Sequence, residues 1–205
     1  MFISYQKIET QNKKYLSRSI KTIKMKKTLI LSVLALSSFA VFAQKKTTTS
    51  ATIAFDASTS LDKLPKAENK TVIAAVDTKT GAVQFEANVK NFAFANPMMQ
   101  GHFNGENWMN SDAFPSFSFA GAITNLSKIN FTKDGTYNVD VEGNLNIKGK
   151  QQKLKVPATV TVQSGIISAT SQFTVSLADY GISGAPIDAG KVRKEPQITV
   201  SAQFN

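Results

Sequence analysis

The sequence predicts an all-β domain of eight antiparallel strands, closed into a barrel with an apolar interior or packed as a sandwich. Three observations carry this. Apolar and polar residues alternate with period two through nearly all of the chain after Gln44, short turn signals divide the alternating runs, and helical periodicity is almost absent.

The first strand is expected at Ala51–Ala57, with Ile53 and Phe55 inward. A second at Thr71–Asp77 and a third at Ala82–Lys90 are joined by Thr78-Lys79-Thr80-Gly81, and the third turns Val83, Phe85, Ala87 and Val89 inward. The inward phase then changes from odd to even at Phe92 and Phe94, which a bulge near Lys90-Asn91 would produce. From Asn96 to Pro115 the chain mixes large apolar residues with Gly101 and Gly105, so it reads as a long covering loop with short helical turns at most. A strand from Ser116 to about Phe131 is closed by Asp134-Gly135.

The clearest alternation follows. Tyr137, Val139, Val141, Gly143, Leu145 and Ile147 share one face, while Asn138, Asp140, Glu142, Asn144, Asn146 and Lys148 share the other. The next run turns Leu154, Val156, Ala158, Val160 and Val162 inward, and the one after it Ile167, Ala169, Phe173, Val175 and Leu177. Gly149-Lys150-Gln151 and Ser164-Gly165 are short enough to force hairpins, so these three strands form a meander. A second long loop, Ser183 to Pro196, leads to the last strand, Gln197–Phe204. Gly143 at an inward position fits a bend in the wall or space left for a ligand. Eight strands close into a barrel that side chains fill or that holds one small ligand.

Composition removes several function classes. The 205 residues contain no Cys and one His, so there is no disulfide framework, thiol nucleophile, iron–sulfur cluster, Cys-ligated zinc or multi-histidine metal site. No Gly-x-Ser-x-Gly motif is present, and strands do not alternate with helices as a nucleophile elbow requires. The formal charge of +10 suggests a nucleic-acid binder until its location is examined. Of 24 basic residues, ten lie in residues 1–46 against the single acid Glu9, so the domain itself is nearly neutral.

That basic end has the form of an export signal. Met25-Lys26-Lys27 is a charged start, Thr28–Phe42 an apolar stretch too short to span a bilayer, and Val41-Phe42-Ala43 a cleavage site before Gln44. The expected organisation is therefore an over-extended start or basic tail over 1–24, a signal peptide over 25–43, a polar linker over 44–50 and a barrel domain over 51–205. Periplasmic or secreted localisation follows from it.

Four short motifs, taken in order, carry a family resemblance. They are Met99-Gln100-Gly101-His102-Phe103; Trp108-Met109-Asn110-Ser111-Asp112-Ala113-Phe114-Pro115-Ser116-Phe117-Ser118-Phe119; Val141 to Gly149 with Val156-Pro157; and Asp179-Tyr180-Gly181-Ile182. With these the chain resembles the YceI-like family across essentially its whole mature length. The resemblance implies a lipocalin-like antiparallel barrel that binds or carries a long apolar, isoprenoid-type lipid, with no cofactor and no catalysis. The chain departs from the family's common pattern in lacking a Trp and a His in the first strand. It also has Leu177 where an Arg often precedes the Asp-aromatic-Gly motif.

The candidate lining is Phe85, Phe92, Phe94, Met98, Met99, Phe103, Trp108, Met109, Phe117, Phe119, Tyr137 and Phe173, each serving either core packing or ligand contact. Met suits a flexible chain because its thioether adapts to irregular shapes. His102 stands among apolar neighbours and is either a structural hydrogen-bonding group or a polar contact at the barrel mouth. Lys148, Lys150, Lys153 and Lys155 cluster at one hairpin, as a solvated strand edge or as a contact with an anionic membrane surface. Two other readings fit the same alternation: an eight-stranded outer-membrane barrel and a secreted β-sandwich interaction protein with a filled core.

Overall fold

The computed structural model describes residues 44–204. The expected signal peptide and the basic segment before it lie outside the described residues. The strands are β1 (Lys45–Asp56), β2 (Lys66–Asp77), β3 (Ala82–Asn88), β4 (Ala93–Phe94), β5 (Ser116–Ile123), β6 (Gly135–Ile147), β7 (Lys150–Gln163), β8 (Ile166–Thr174) and β9 (Gln197–Phe204). Two helices interrupt them, α1 (Pro97–Asn104) and the single turn α2 (Ala185–Asp188).

All pairings are antiparallel. The sheet runs β1-β9-β8-β7-β6-β5-β3-β2, and β1 pairs again with β2, so eight strands close on themselves and the short β4 adds to β2. Closure leaves the main ladder without a free edge. The wall alternates as the sequence requires, with polar residues such as Asn138 and Glu142 outside and Val139, Val141 and Leu145 inside. A transmembrane barrel turns its apolar face to lipid and keeps a polar lumen, so this wall has the reverse orientation.

The meander is built as the short turns demand. Lys148-Gly149 and Ser164-Gly165 each place two residues at positive φ, 52° and 74° for the first pair, 51° and 81° for the second. Two-residue turns of this kind match the right-handed twist of the flanking strands.

Several expectations need correction. The segment from Lys45 to Ser50, read as linker, is the first half of β1, because its Thr-rich run pairs with β2 from Lys45 opposite Asp77 to Thr48 opposite Ala74. β2 likewise begins earlier than expected, at Lys66 opposite Asp56. The phase change after Val89 is a complete 3-10 turn, Val89–Asn91, beyond which the chain returns to β2 as β4. Asn69 stabilises that interruption. It is fully buried, donates from Nδ2 to the Asn88 carbonyl at 2.9 Å and accepts from the Thr71 amide at 2.8 Å. Its side chain thus replaces ladder bonds that the turn removes.

The strand expected from Ser116 to about Phe131 ends at Ile123. Asn125 stops it by bonding across to the Asp140 backbone amide (2.9 Å) and carboxylate (3.0 Å), and a 3-10 turn, Leu126–Lys128, follows. Leu126, Ile129 and Phe131 fold against the core at that end of the barrel.

Gly143 has a partner. Gly121 of β5 lies directly opposite it, and a Cβ on Gly143 would stand 2.5 Å from the Gly121 Cα and 2.7 Å from Cζ of Phe119. Two glycines let β5 and β6 approach closely, and the Phe119 ring covers both from inside. The space beside Gly143 is therefore occupied by protein.

Candidate functional site

The inward faces of the strands surround a cavity of about 470 Å³. This lies within the usual range of small-molecule sites. Its wall is almost wholly apolar, from Ile53 and Phe55 on β1 round to Ile198 and Val200 on β9. Many of these side chains, including Phe85, Phe119, Leu145, Leu154 and Phe173, are only half-buried although they point inward. Their uncovered surface faces the cavity, which distinguishes this interior from a filled core.

The two ends differ. Towards the turns 77–82, 123–135 and 164–165 the interior is packed shut, with Val160, Val162, Ile167 and Phe204 all buried. At the other end three segments ring the opening: loop 57–65, α1, and the stretch carrying α2. Their lining residues His102, Pro186 and Lys191 are exposed, and Met99 and Asp62 are half-buried, so this end is the mouth.

Beneath α1 the wall is aromatic. Phe103 stacks on Phe55 with centroids 5.6 Å apart and lies 5.0 Å from Phe94, while Phe92 bridges Phe55 at 6.1 Å and Phe117 at 5.8 Å. The helix sits there for a local reason. Asn96 caps it by accepting from the Met98 amide at 2.9 Å, and Pro97 begins it with φ already preset. Trp108 and Met109 then fold back under α1, the Met109 amide donating to the Phe103 carbonyl.

All the sequence-selected candidates except Met98 and Tyr137 line the cavity. Met98 is turned outward on α1 and is 71% exposed. Tyr137 packs at the edge of the core and is drawn away by its hydroxyl, which donates to the Lys133 carbonyl at 2.9 Å. Sequence reasoning left Phe55 off the candidate site although its inward phase was legible. It missed Asp62, Pro186 and Lys191 for a different reason, since they lie in loops where no periodicity marks the inner side. Leu177 is buried and faces the cavity.

The ionisable groups with displaced titration are structural. Burial opposes the charge of Asp56, but hydrogen bonds from Ser58 and Lys66 outweigh it and bring the carboxyl down to about 2. Asp56 accepts from the Ser58 amide at 2.9 Å and pairs with Lys66 Nζ at 2.9 Å, fastening the base of loop 57–65. Burial and the charge of Asp179 push the Tyr180 phenol up. Tyr180 and Ile182 anchor the second long loop, with Gly181 at φ 68° between them. Among the described residues no three His, Cys, Asp or Glu side chains gather where they could hold a metal ion.

Residues 36–204 match the YceI-like domain. The chain belongs to the YceI-like family. Two solved structures share the fold of this YceI-like barrel. BcnA of Burkholderia cenocepacia is 18% identical with a TM-score of 0.63, the match covering 76% of this chain and 96% of that one. A polyisoprenoid binding domain from Saccharophagus degradans, implicated in plant cell wall breakdown, is 12% identical with a TM-score of 0.67 and coverages of 79% and 98%. No curated protein matches the chain. The lipocalin-like fold and the family expected from the four motifs are those found.

Proposed function

We propose that this YceI-like barrel is a non-catalytic binder or carrier of one long apolar lipid of isoprenoid type, acting in the periplasm or outside the cell. The observation that carries the reading is the apolar cavity whose lining keeps free surface toward an open mouth. The binding activity for which the S. degradans neighbour is described supports the cargo class, and the apolar stretch with its cleavage site before Gln44 supports export.

The energetics are adequate without any polar recognition. Enclosing about 400 Å² of hydrocarbon at about 25 cal/mol per Å² gives a gross gain on the order of 10 kcal/mol, from which association and ordering costs are subtracted. An unbranched saturated chain and an isoprenoid gain similarly per unit area. An isoprenoid's double bonds leave it fewer rotatable bonds than a saturated chain of the same length, so enclosure costs it less conformational entropy, and the Met99 and Met109 thioethers adapt to its methyl groups.

Solvent extraction of the protein purified without detergent, followed by mass spectrometry, tests the proposal. A stoichiometric isoprenoid compound is expected. A protein that yields no apolar compound and takes up no added polyprenol overturns the reading in favour of an empty structural barrel.

A further inference from the structure

We propose that the mouth of the barrel is a docking surface for a lipid bilayer, with Leu61, Leu64 and Met98 as the side chains that enter the membrane. The inference rests on the lipid-carrier reading above and adds the surface on which cargo is exchanged.

The exposed large apolar residues are unevenly placed. Among the described residues they are Leu61 (71%), Leu64 (51%), Ile73 (55%), Met98 (71%) and Ile166 (40%). Each of Leu61, Leu64 and Met98 is the chain neighbour of a residue that lines the cavity: Asp62, Pro65 and Met99. The barrel thus carries protruding apolar groups around its opening, on two of the three segments that ring it. Single exposed apolar residues are ordinary, but a set rimming an apolar opening marks an interaction surface.

The leucines are also held outward. Thr59 Oγ1 accepts from the amides of Leu61 (3.1 Å) and Asp62 (3.3 Å), Asp62 Oδ1 accepts from the Leu64 amide (2.8 Å), and the Asp62 carbonyl accepts from the Thr59 amide (2.8 Å). At its base the Ala57 amide donates to the Pro65 carbonyl, and the Arg193 amide to the Ala57 carbonyl. A loose loop would fold its leucines down over the cavity. This one spends its polar groups on an internal frame that keeps them in solvent.

Bilayer lipid is the occupant these features fit. The cargo is a membrane component that cannot cross water cheaply, and a mouth pressed into the headgroup region lets it pass from hydrocarbon to cavity without exposure. Lys63 stands between the two leucines, Lys191 lines the mouth, and Lys148 and Lys150 lie on the hairpin at the same end, none joined by an ion pair among the described residues. They suit an anionic surface. Lys153 and Lys155 leave β7 opposite Asn144 and Glu142 on the outer wall and take no part.

The absence of cysteine allows a direct test on the whole chain. Single variants Leu61→Cys, Leu64→Cys and Met98→Cys, with Ile73→Cys and Ile166→Cys as equally apolar sites away from the mouth, are labelled with a polarity-sensitive fluorophore. They are then mixed with phosphatidylcholine–phosphatidylglycerol vesicles. A blue shift with increased emission is expected at positions 61, 64 and 98 only. Silence at all three, or an equal response at 73 and 166, overturns the proposal. So does a response at 61, 64 and 98 that appears with rising protein concentration before vesicles are added, which would assign the surface to a second copy of the chain. Extraction of the same preparations separates the two readings. Bound lipid with silent labels defeats the docking surface alone, and responding labels on a protein that neither contains nor takes up lipid defeat the carrier alone.

Discussion

Ala169→Phe tests whether the interior is a binding cavity or a core. Ala169 occupies an inward position of β8, opposite Val160 of β7 and Ala202 of β9, and its methyl group is part of the cavity wall. A phenylalanine ring there projects into the 470 Å³ space from the border of the packed end, beside the buried Val160 and Ala202, and displaces cargo. If the ring takes about 100 Å² of the surface the lipid would cover, the loss at about 25 cal/mol per Å² is about 2.5 kcal/mol, or roughly 70-fold in Kd. Stability moves the other way, since the ring buries apolar area inside an already folded wall, and a gain of about 1 kcal/mol is expected. In a filled core the same change is overpacking and costs about 1–3 kcal/mol. Trp108, the single tryptophan, lines the cavity and reports binding of an isoprenoid alcohol by its fluorescence, while urea unfolding reports stability. A variant that is destabilised by more than 1 kcal/mol and still binds the alcohol with the parent affinity would refute the cavity reading.

Three further outcomes are expected. Gly143→Ala brings a Cβ against the Ala120 carbonyl and within 2.5 Å of the Gly121 Cα, so unfolding in urea should show a loss of at least about 2 kcal/mol. Asn69→Ala removes the donor to the Asn88 carbonyl and the acceptor for the Thr71 amide, both in a buried setting; a loss of about 2–3 kcal/mol is expected, with a matching rise in amide exchange over β3 and β4. Asp56 has a folded-state pKa below its unfolded one, so its contribution is complete above about pH 4 and is lost as pH falls towards 2. Asp56→Asn should flatten the dependence of the unfolding midpoint over that window, and an unchanged slope would show that Asp56 is not its source.

Where the sequence was legible, a single physical rule made it so. The parity of Tyr137 to Leu177 translates directly into wall orientation, because neighbouring residues in a strand must point to opposite faces and only one face can be apolar at low cost. Short turns fix which strands are neighbours, although the first, expected at Gly149-Lys150-Gln151, is made by Lys148-Gly149 with Lys150 and Gln151 already in β7; the second is Ser164-Gly165 as expected. The same rule located most of the cavity lining. It failed within β6 at Tyr137, which its hydroxyl's bond to the Lys133 carbonyl draws off, and on α1, where Met98 is exposed while Met99 lines the cavity. The strand expected through Phe131 was cut short by Asn125 reaching Asp140, two residues 15 apart whose meeting no local pattern records.

By itself, then, the sequence determined the architecture: antiparallel strands, their inward residues, their hairpins and the family whose motifs they carry. Tertiary structure alone decided that the ring closes through β1 and β2, that its inward side chains stop short of one another, and that the opening lies between loop 57–65, α1 and the segment carrying α2. The physical reason is that burial pattern is set residue by residue, whereas an enclosed volume is the difference between the circumference eight strands impose and the size of the side chains that point into it. That difference belongs to no residue, and here it leaves an apolar space with one open end.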